Sequence, residues 1–285
     1  MASSYLNIVT FLLTTIFYYM VLKPHLTYDI LSNTESYKSY VSSNYLYLAV
    51  YLLLVMVIQF IVNSSVISST CGGSISENMG SAALLTFVTW LLIFGVTIII
   101  LVIYPGFKSA FSDVIGYYYV SSSANNLLTK LMVDPDVNNA LKNNNLNQPS
   151  LATPNNKEIQ EVADLILKIC GNTSILINQM VPENFESYWK LLDPLKKDEY
   201  KGSNGDDLRN QIFDLVVIRN NIGEMFWYIY TGILLTSIVQ LKISSLGCDT
   251  NPKIMEANYA EFQKQEAATQ KQNDASSSTT YTITN

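Results

Sequence analysis

Hydrophobic and polar positions are not mixed evenly along this chain. Four long apolar runs alternate with polar stretches. They are Tyr5 to Leu22, ended by Lys23 and Pro24; Tyr45 to Val62, ended by Asn63; Ala82 to Tyr104, ended by Pro105 and Gly106; and Met225 to Leu241, ended by Lys242. A helix needs about 20 mainly apolar residues to cross about 30 Å of hydrocarbon. The third run is the most apolar, being dominated by Leu, Ile and Val from Leu91 to Ile103. The fourth is the shortest, and it gains length by taking in Ile222 and Gly223 or by Lys242 snorkelling to the headgroups. Aromatic residues mark the edges: Tyr18 and Tyr19, Tyr45 and Tyr47, Tyr104, then Trp227, Tyr228 and Tyr230. Tyr and Trp favour that depth because one end of the ring is apolar and the other wet. The pattern predicts an all-α, polytopic helical membrane protein with about four transmembrane helices. The alternative, buried helices of a soluble all-α protein, requires four uncharged runs of unusual length.

The predicted organisation follows from these runs. Residues 1–104 hold helices 1–3 (5–22, 45–62 and 82–104) with short loops. Residues 105–224 form a polar, mainly helical extramembrane domain. Residues 225–246 hold helix 4, and 247–285 form a polar tail. In the domain, Asn155 and Glu158 resemble a capping box. Behind it Ile159, Val162, Ala163, Ile166, Leu167 and Cys170 recur at helical spacing. Further helices are predicted over Phe107–Leu131, over Asp207–Asn221 with Leu208, Ile212, Leu215 and Val216 on one face, and around Phe185, Trp189 and Leu192, stopped by Pro194. Asn-rich, Pro-bearing loops such as Asp134–Pro154 and the Gly202–Asp207 turn cluster separate them. In the tail, Ile254 to Gln270 is predicted to be a polar helix. Asn273 to Asn285 is Ser/Thr-rich and expected to be disordered unless a partner orders it.

Composition changes the picture only by exclusion. Charged residues are 14% of the chain, against about 25% in soluble domains, and the net charge is −6. The longest basic run is Lys196–Lys197, flanked by Asp193, Asp198 and Glu199, so nucleic acid is not an expected partner. The three cysteines, Cys71, Cys170 and Cys248, form no C-x-x-C pair, and the single histidine is His25, read as interfacial. No recognisable zinc set or Ser-His-Asp triad follows. The spans carry almost no ionisable residue: Gln59 and Gln240 sit near ends and Glu224 at a boundary. Gly95 and Gly232 read as packing contacts between helices. No catalytic site, cofactor or metal is expected. The first run lacks a basic n-region and a small-residue cleavage site, so it is expected to remain as an anchor. Ala2 rules out the Gly that myristoylation needs.

Four crossings would place the N-terminus, the Asn63–Ser81 loop and the tail on one side, with the Lys23–Asn44 loop and Pro105–Glu224 on the other. The second side carries Lys23, Lys38, Lys108 and Arg219 near the membrane, which favours the cytosol; Lys242 and Lys253 in the tail weaken that signal. Cys71 and Cys248 fall on one face, each beside glycine. Either they form a disulfide, which implies an oxidising face, or they are two free thiols near the headgroups. Cys170 is expected on the other face. Neither sequon, Asn63-Ser64-Ser65 or Asn172-Thr173-Ser174, is expected to carry a glycan: the first lies too near the membrane, the second on the cytosolic side.

Two stretches carry a resemblance. One runs Cys71-Gly72-Gly73, Glu77-Asn78-Met79-Gly80, Thr89-Trp90-Leu91-Leu92-Ile93-Phe94-Gly95 and Tyr104-Pro105-Gly106-Phe107. The other runs Arg219-Asn220-Asn221-Ile222-Gly223-Glu224, Trp227-Tyr228 and Thr231-Gly232. Together, over about Cys71–Cys248, they resemble multi-pass virion membrane proteins of the nucleocytoplasmic large DNA viruses, of the membrane-associated minor capsid type. The abundance of Asn, Lys, Ile and Tyr suits an AT-rich genome of the kind many such viruses have. The resemblance implies a non-enzymatic structural protein in the virion inner membrane, assembled from host endomembrane. Its expected partners are the lipid bilayer, capsid or other virion membrane proteins, and further copies in a homo-oligomer. Residues 105–224 would contact the capsid. Arg219, Asn220, Asn221, Gly223, Glu224 and Trp227 would fix how that domain leaves the bilayer, because their charges enter lipid at high cost. A viral thiol oxidase would make the Cys71–Cys248 bond. A small ion channel or transporter subunit, and a cellular membrane adaptor, are the alternative functions.

Overall fold

The structure is a computed structural model and describes residues 2–71, 75–132, 173–245 and 252–277. Those residues are almost wholly helical, with no strand longer than one isolated bridge, Met132 to Lys196. Helix α1 (Ala2–Phe17) continues through a π-helical turn to Leu22. A short α2 (Tyr28–Ser32) leads into α3 (Thr34–Cys71). Helix α4 (Ile75–Ala83) runs through two π-helical turns, Leu84–Val88 and Trp90–Gly95, into α5 (Val96–Ile103). After a 3₁₀ turn at Pro105–Lys108 come α6 (Ser109–Phe111), a π turn at Ser112–Gly116 and α7 (Tyr117–Leu131). The chain returns as a 3₁₀ helix, Thr173–Gln179, then α8 (Phe185–Leu191), α9 (Asp206–Ser244) and α10 (Pro252–Ser277).

Four helical stretches are long and apolar enough to cross a membrane: Tyr5–Leu22, Thr34–Cys71, Met79–Ile103 and Gly202–Ser244. Most of each apolar window is not buried in the protein. Leu13, Met20, Leu46, Leu53, Ile61, Leu84, Leu92, Ile103 and Leu241 all point outward. An apolar outer surface on all four of these helices needs an apolar solvent or an apolar partner to cover it.

Several predicted boundaries are corrected. The Lys23–Asn44 loop is mostly helix, because Thr27 accepts from the Ile30 amide to cap α2 and Asn33 accepts from the Glu35 and Ser36 amides at the start of α3. Asn63 does not end the second run. Its amide is occupied sideways, α3 continues to Cys71 and α4 begins at Ile75, so most of the predicted Asn63–Ser81 loop is helix. At 38 residues α3 is roughly 57 Å long. The predicted helix Asp207–Asn221 and the fourth run are one helix, α9, of 39 residues. Asn273–Ser277, expected to be disordered, completes α10. The predicted helix Asn155–Cys170, the Asp134–Pro154 loop, Asn172, Cys170 and Cys248 lie outside the described residues.

Three buried clusters stack along the helices. The first unites Val120, Leu128, Phe185, Trp189, Ile212 and Phe213 with Leu26 and Tyr28 from the segment after α1, forming the core of the polar region. Trp189 also lies under the Lys196 ammonium, 3.6 Å from its ring centre. The second is aromatic: Phe11, Tyr18, Tyr51, Trp90, Phe94 and Tyr228 meet in tilted, stacked and edge-on pairs. The third, Val62, Val66, Ile67, Ala82, Val239 and Ile243, closes the far end. Helix α9 contributes to all three, so it is the mast on which the polar region and the apolar bundle are both built.

Candidate functional site: the joint where α9 enters the bundle

The joint forms because α9 and the segment after α5 run side by side in opposite directions. Two glycines set the spacing. A Cβ on Gly223 would sit 2.7 Å from the Lys108 carbonyl oxygen and 2.7 Å from Ser112 Cβ. One on Gly116 would sit 2.6 Å from the Arg219 carbonyl oxygen. Backbone meets backbone at both positions, so no side chain fits either. The π turn at Ser112–Gly116 lies at this crossing; such turns insert one residue and re-aim the side chains that follow.

Close approach brings two charged groups of α9 inside. Arg219 is 0% exposed. Its Nη1 donates to Asp113 Oδ1 at 2.7 Å and to Asn178 Oδ1 at 3.1 Å, and its Nη2 donates to the Met180 carbonyl at 2.7 Å. The guanidinium therefore fastens the end of the 3₁₀ helix Thr173–Gln179 to α9, where free carbonyls attract a cation. One turn on, Glu224 has a side chain 6% exposed and meets two ammonium groups. Lys108 lies 2.6 Å from its Oε2, while Lys23 is paired with its Oε1. The Tyr19 hydroxyl donates to the same Oε1 at 3.0 Å, and Lys23 lies 4.8 Å from the centre of the Tyr19 ring. A single carboxylate thus joins residues following the first and third apolar runs to the start of the fourth. The next turn carries Trp227, whose Nε1 donates to the Phe107 carbonyl at 2.8 Å, with Phe111 edge-on to its ring at 5.2 Å.

Of the six residues read as the exit motif, Arg219, Gly223, Glu224 and Trp227 converge on this joint. Asn220 and Asn221 do not: neither makes a side-chain hydrogen bond to it among the described residues. Sequence reasoning missed Asp113, Lys23, Lys108 and Tyr19 as partners. Lys23 and Lys108 each lie within a turn or so of the end of an apolar run, and that shared placement was the signal available for pairing them with Glu224. Cys71 is disulfide-bonded. The two cysteines able to pair with it, Cys170 and Cys248, lie outside the described residues, so the Cys71–Cys248 assignment stays a proposal.

A second polar group sits within the bundle and was not foreseen. Asn7 Nδ2 donates to Asn63 Oδ1 at 3.0 Å, Asn63 Nδ2 to Thr86 Oγ1 at 2.8 Å, and Gln59 Nε2 to the Asn7 carbonyl at 3.1 Å. The Thr15 and Tyr51 hydroxyls are bonded at 2.8 Å. Asn7, Thr15, Gln59, Asn63 and Thr86 are all buried, and the burial of Asn63 leaves no room for a glycan there. Gly232 packs under the Phe11 ring, where a Cβ would come within 2.0 Å of the Phe11 Cζ atom; at Gly95 a Cβ would meet Leu52 at an ordinary 3.7 Å. Gly232 is the tight helix contact of the two. Among the described residues no cluster of His, Cys, Asp and Glu could hold a metal ion.

No known protein family, curated protein or solved structure matches the chain.

Proposed function

We propose that the protein is a non-enzymatic structural protein of a virion inner membrane, a rigid post that links that membrane to the capsid. The observation that carries this reading is α9. One unbroken helix runs from the core of the polar region, at Leu208 to Val217, through the charged joint and down to Ile243 at the far end of the bundle. A break, hinge or Gly-Pro linker at residue 224 would let the polar region swing. The continuous helix, clamped by Arg219 and Glu224, transmits force and orientation instead. The apolar outer faces suit a bilayer, the side carrying residues 105–224 suits contact with capsid proteins or other virion membrane proteins, and the Cys71–Cys248 bond would tie the end of α3 to the chain that follows α9. The sequence resemblance supplies the viral setting.

The channel alternative draws on the buried amides, which are the kind of group that lines a pore. Within one chain those amides bond to each other, and four residues on from Asn7 and from Thr86 the rings of Phe11 and Trp90 pack together. Ion flux in proteoliposomes, lost in Asn63→Ala, would replace the first reading with this one. The first reading is tested in particles. Purified virions are expected to contain the chain, resistant to carbonate extraction, with density for residues 105–224 touching the capsid shell. Virions lacking the chain, or density showing that region free of any shell contact, would end it. An adaptor would instead co-purify with membranes of uninfected cells.

A further inference from the structure

The joint holds two ammonium groups against one carboxylate. Lys23 and Glu224 have side chains 6% exposed and Lys108 13%. Both oxygens of Glu224 are taken, Oε1 by Lys23 and Tyr19, Oε2 by Lys108. The third cation at the joint, Arg219, has its own carboxylate in Asp113. Among the described residues the joint is therefore left with one positive charge more than its carboxylates neutralise, and a buried unpaired charge is costly. Each ammonium also carries three donors, and among the described residues either one bonds to Glu224 alone. Two more donors stand nearby on the same helices: the Tyr18 and Tyr228 hydroxyls are buried without a hydrogen-bond partner among the described residues. Of the two ammonium groups Lys108 is the more exposed, and it follows Tyr104 and Phe107, both exposed, at the end of the third apolar run. The excess charge thus opens at the depth where lipid phosphates lie.

We propose that Lys108, backed by Lys23, binds the phosphate of an anionic membrane lipid, which supplies the missing negative charge of the joint. The site rests on the membrane-spanning reading and is independent of any capsid contact. Binding is non-covalent: the phosphate accepts from Lys108 Nζ while its acyl chains lie along the outer faces of α5 and α9, beside Ile103 and Tyr230. A basic group at a membrane surface is worth about fivefold in binding an anionic lipid.

The test uses the full-length chain in nanodiscs of phosphatidylcholine alone or mixed with phosphatidylglycerol, followed by native mass spectrometry after partial delipidation. The wild type is expected to retain one phosphatidylglycerol in clear preference to phosphatidylcholine. Lys108→Gln should lower that preference about fivefold, Lys108→Arg should keep it, and Lys190→Gln, remote from the joint, should leave it unchanged. Equal retention of the two lipids by wild type, which is what a deprotonated Lys23 would give, overturns the proposal. So does loss of the bound lipid to millimolar inorganic phosphate, which would assign the site to a soluble anion. Flotation with phosphatidylcholine vesicles is the separate readout of membrane insertion: a chain that fails to float loses the membrane reading, whereas a chain that floats without lipid preference loses only this site.

Discussion

Polarity inside the helical body takes two forms, and they sit at different depths. At the joint it is ionic: Arg219 with Asp113, and Glu224 with Lys23 and Lys108. One bundle layer away it is neutral: Asn7, Gln59, Asn63 and Thr86, linked amide to amide and amide to hydroxyl. The difference follows from desolvation. A neutral amide removed from water loses a few hydrogen bonds and recovers them from another amide. An ion loses far more, and recovers it only beside a counter-ion near enough to the surface for water to relax around the pair. Charges therefore gather where the polar region meets the apolar runs, and the buried contacts toward the opposite ends of those runs are made by groups without net charge. The ionic joint fixes direction, and the neutral one fixes helix register at small cost.

The comparison breaks most visibly at Glu224. Glu224→Gln leaves two ammonium groups facing each other, and should lower stability by about 3–5 kcal/mol, read as the thermal midpoint of the purified protein in detergent. Replacing all three residues by apolar ones of similar size, Lys23→Met, Lys108→Met and Glu224→Met together, should cost less than the single change; a triple variant worse than Glu224→Gln would show that the charges themselves stabilise the fold. Gly232→Leu drives a side chain into the Phe11 ring and should cost about 1–3 kcal/mol, while Gly95→Ala should leave the midpoint unmoved. Equal effects at the two glycines would contradict the α1–α9 contact. On the neutral side, Asn63→Leu should cost only about 0.6–1.7 kcal/mol, the range for a hydrogen bond between membrane helices. A loss as large as that of Glu224→Gln would erase the distinction between the clusters.

The smallest expected effect concerns how the segment after α1 docks on the polar region. The Tyr28 hydroxyl donates to Glu186, and Arg209 lies over the Tyr28 ring at 3.9 Å. That hydrogen bond, ahead of the ion pair with Lys190, holds the Glu186 carboxyl below its ordinary value, and burial together with the same bond pushes the Tyr28 phenol up to about 12. A carboxyl with a depressed folded pKa adds stability above its unfolded value and loses it as the pH falls through the folded one. Its side chain is 48% exposed, so the contribution is small. Hydrogen exchange at Tyr28–Ser32 should quicken as the pH drops through the carboxylate range, after correction for intrinsic exchange, and Tyr28→Phe should remove that pH dependence. A Tyr28→Phe protein with the wild-type profile would show that the contact carries no linkage.

Much of the architecture was legible because period and length are local properties. Runs of apolar residues near the length of a bilayer announced four helices, and each was found, along with the Phe185–Trp189 helix and the tail helix. Boundaries failed where a polar residue was read as a stop. Asn63 looked like the end of a span because an amide is costly in lipid, yet Thr86 and Asn7, 23 and 56 residues away in sequence, make it part of the bundle. The joint was half legible. Arg219, Gly223, Glu224 and Trp227 were grouped by the family resemblance, and the structure places them on consecutive turns of one helix. Their partners come from Lys23, Lys108 and Asp113, and no local pattern links those positions.

The chain by itself determined that it would be helical, that four of its helices would carry apolar outer faces, and that charge would be kept to their ends, since each of these follows from the hydration of residues close in sequence. Which helix touches which, why Gly116 and Gly223 admit no side chain, and which carboxylate answers which cation were decided only in three dimensions. Those choices depend on distances between segments up to about two hundred residues apart, and only the packed chain sets such distances.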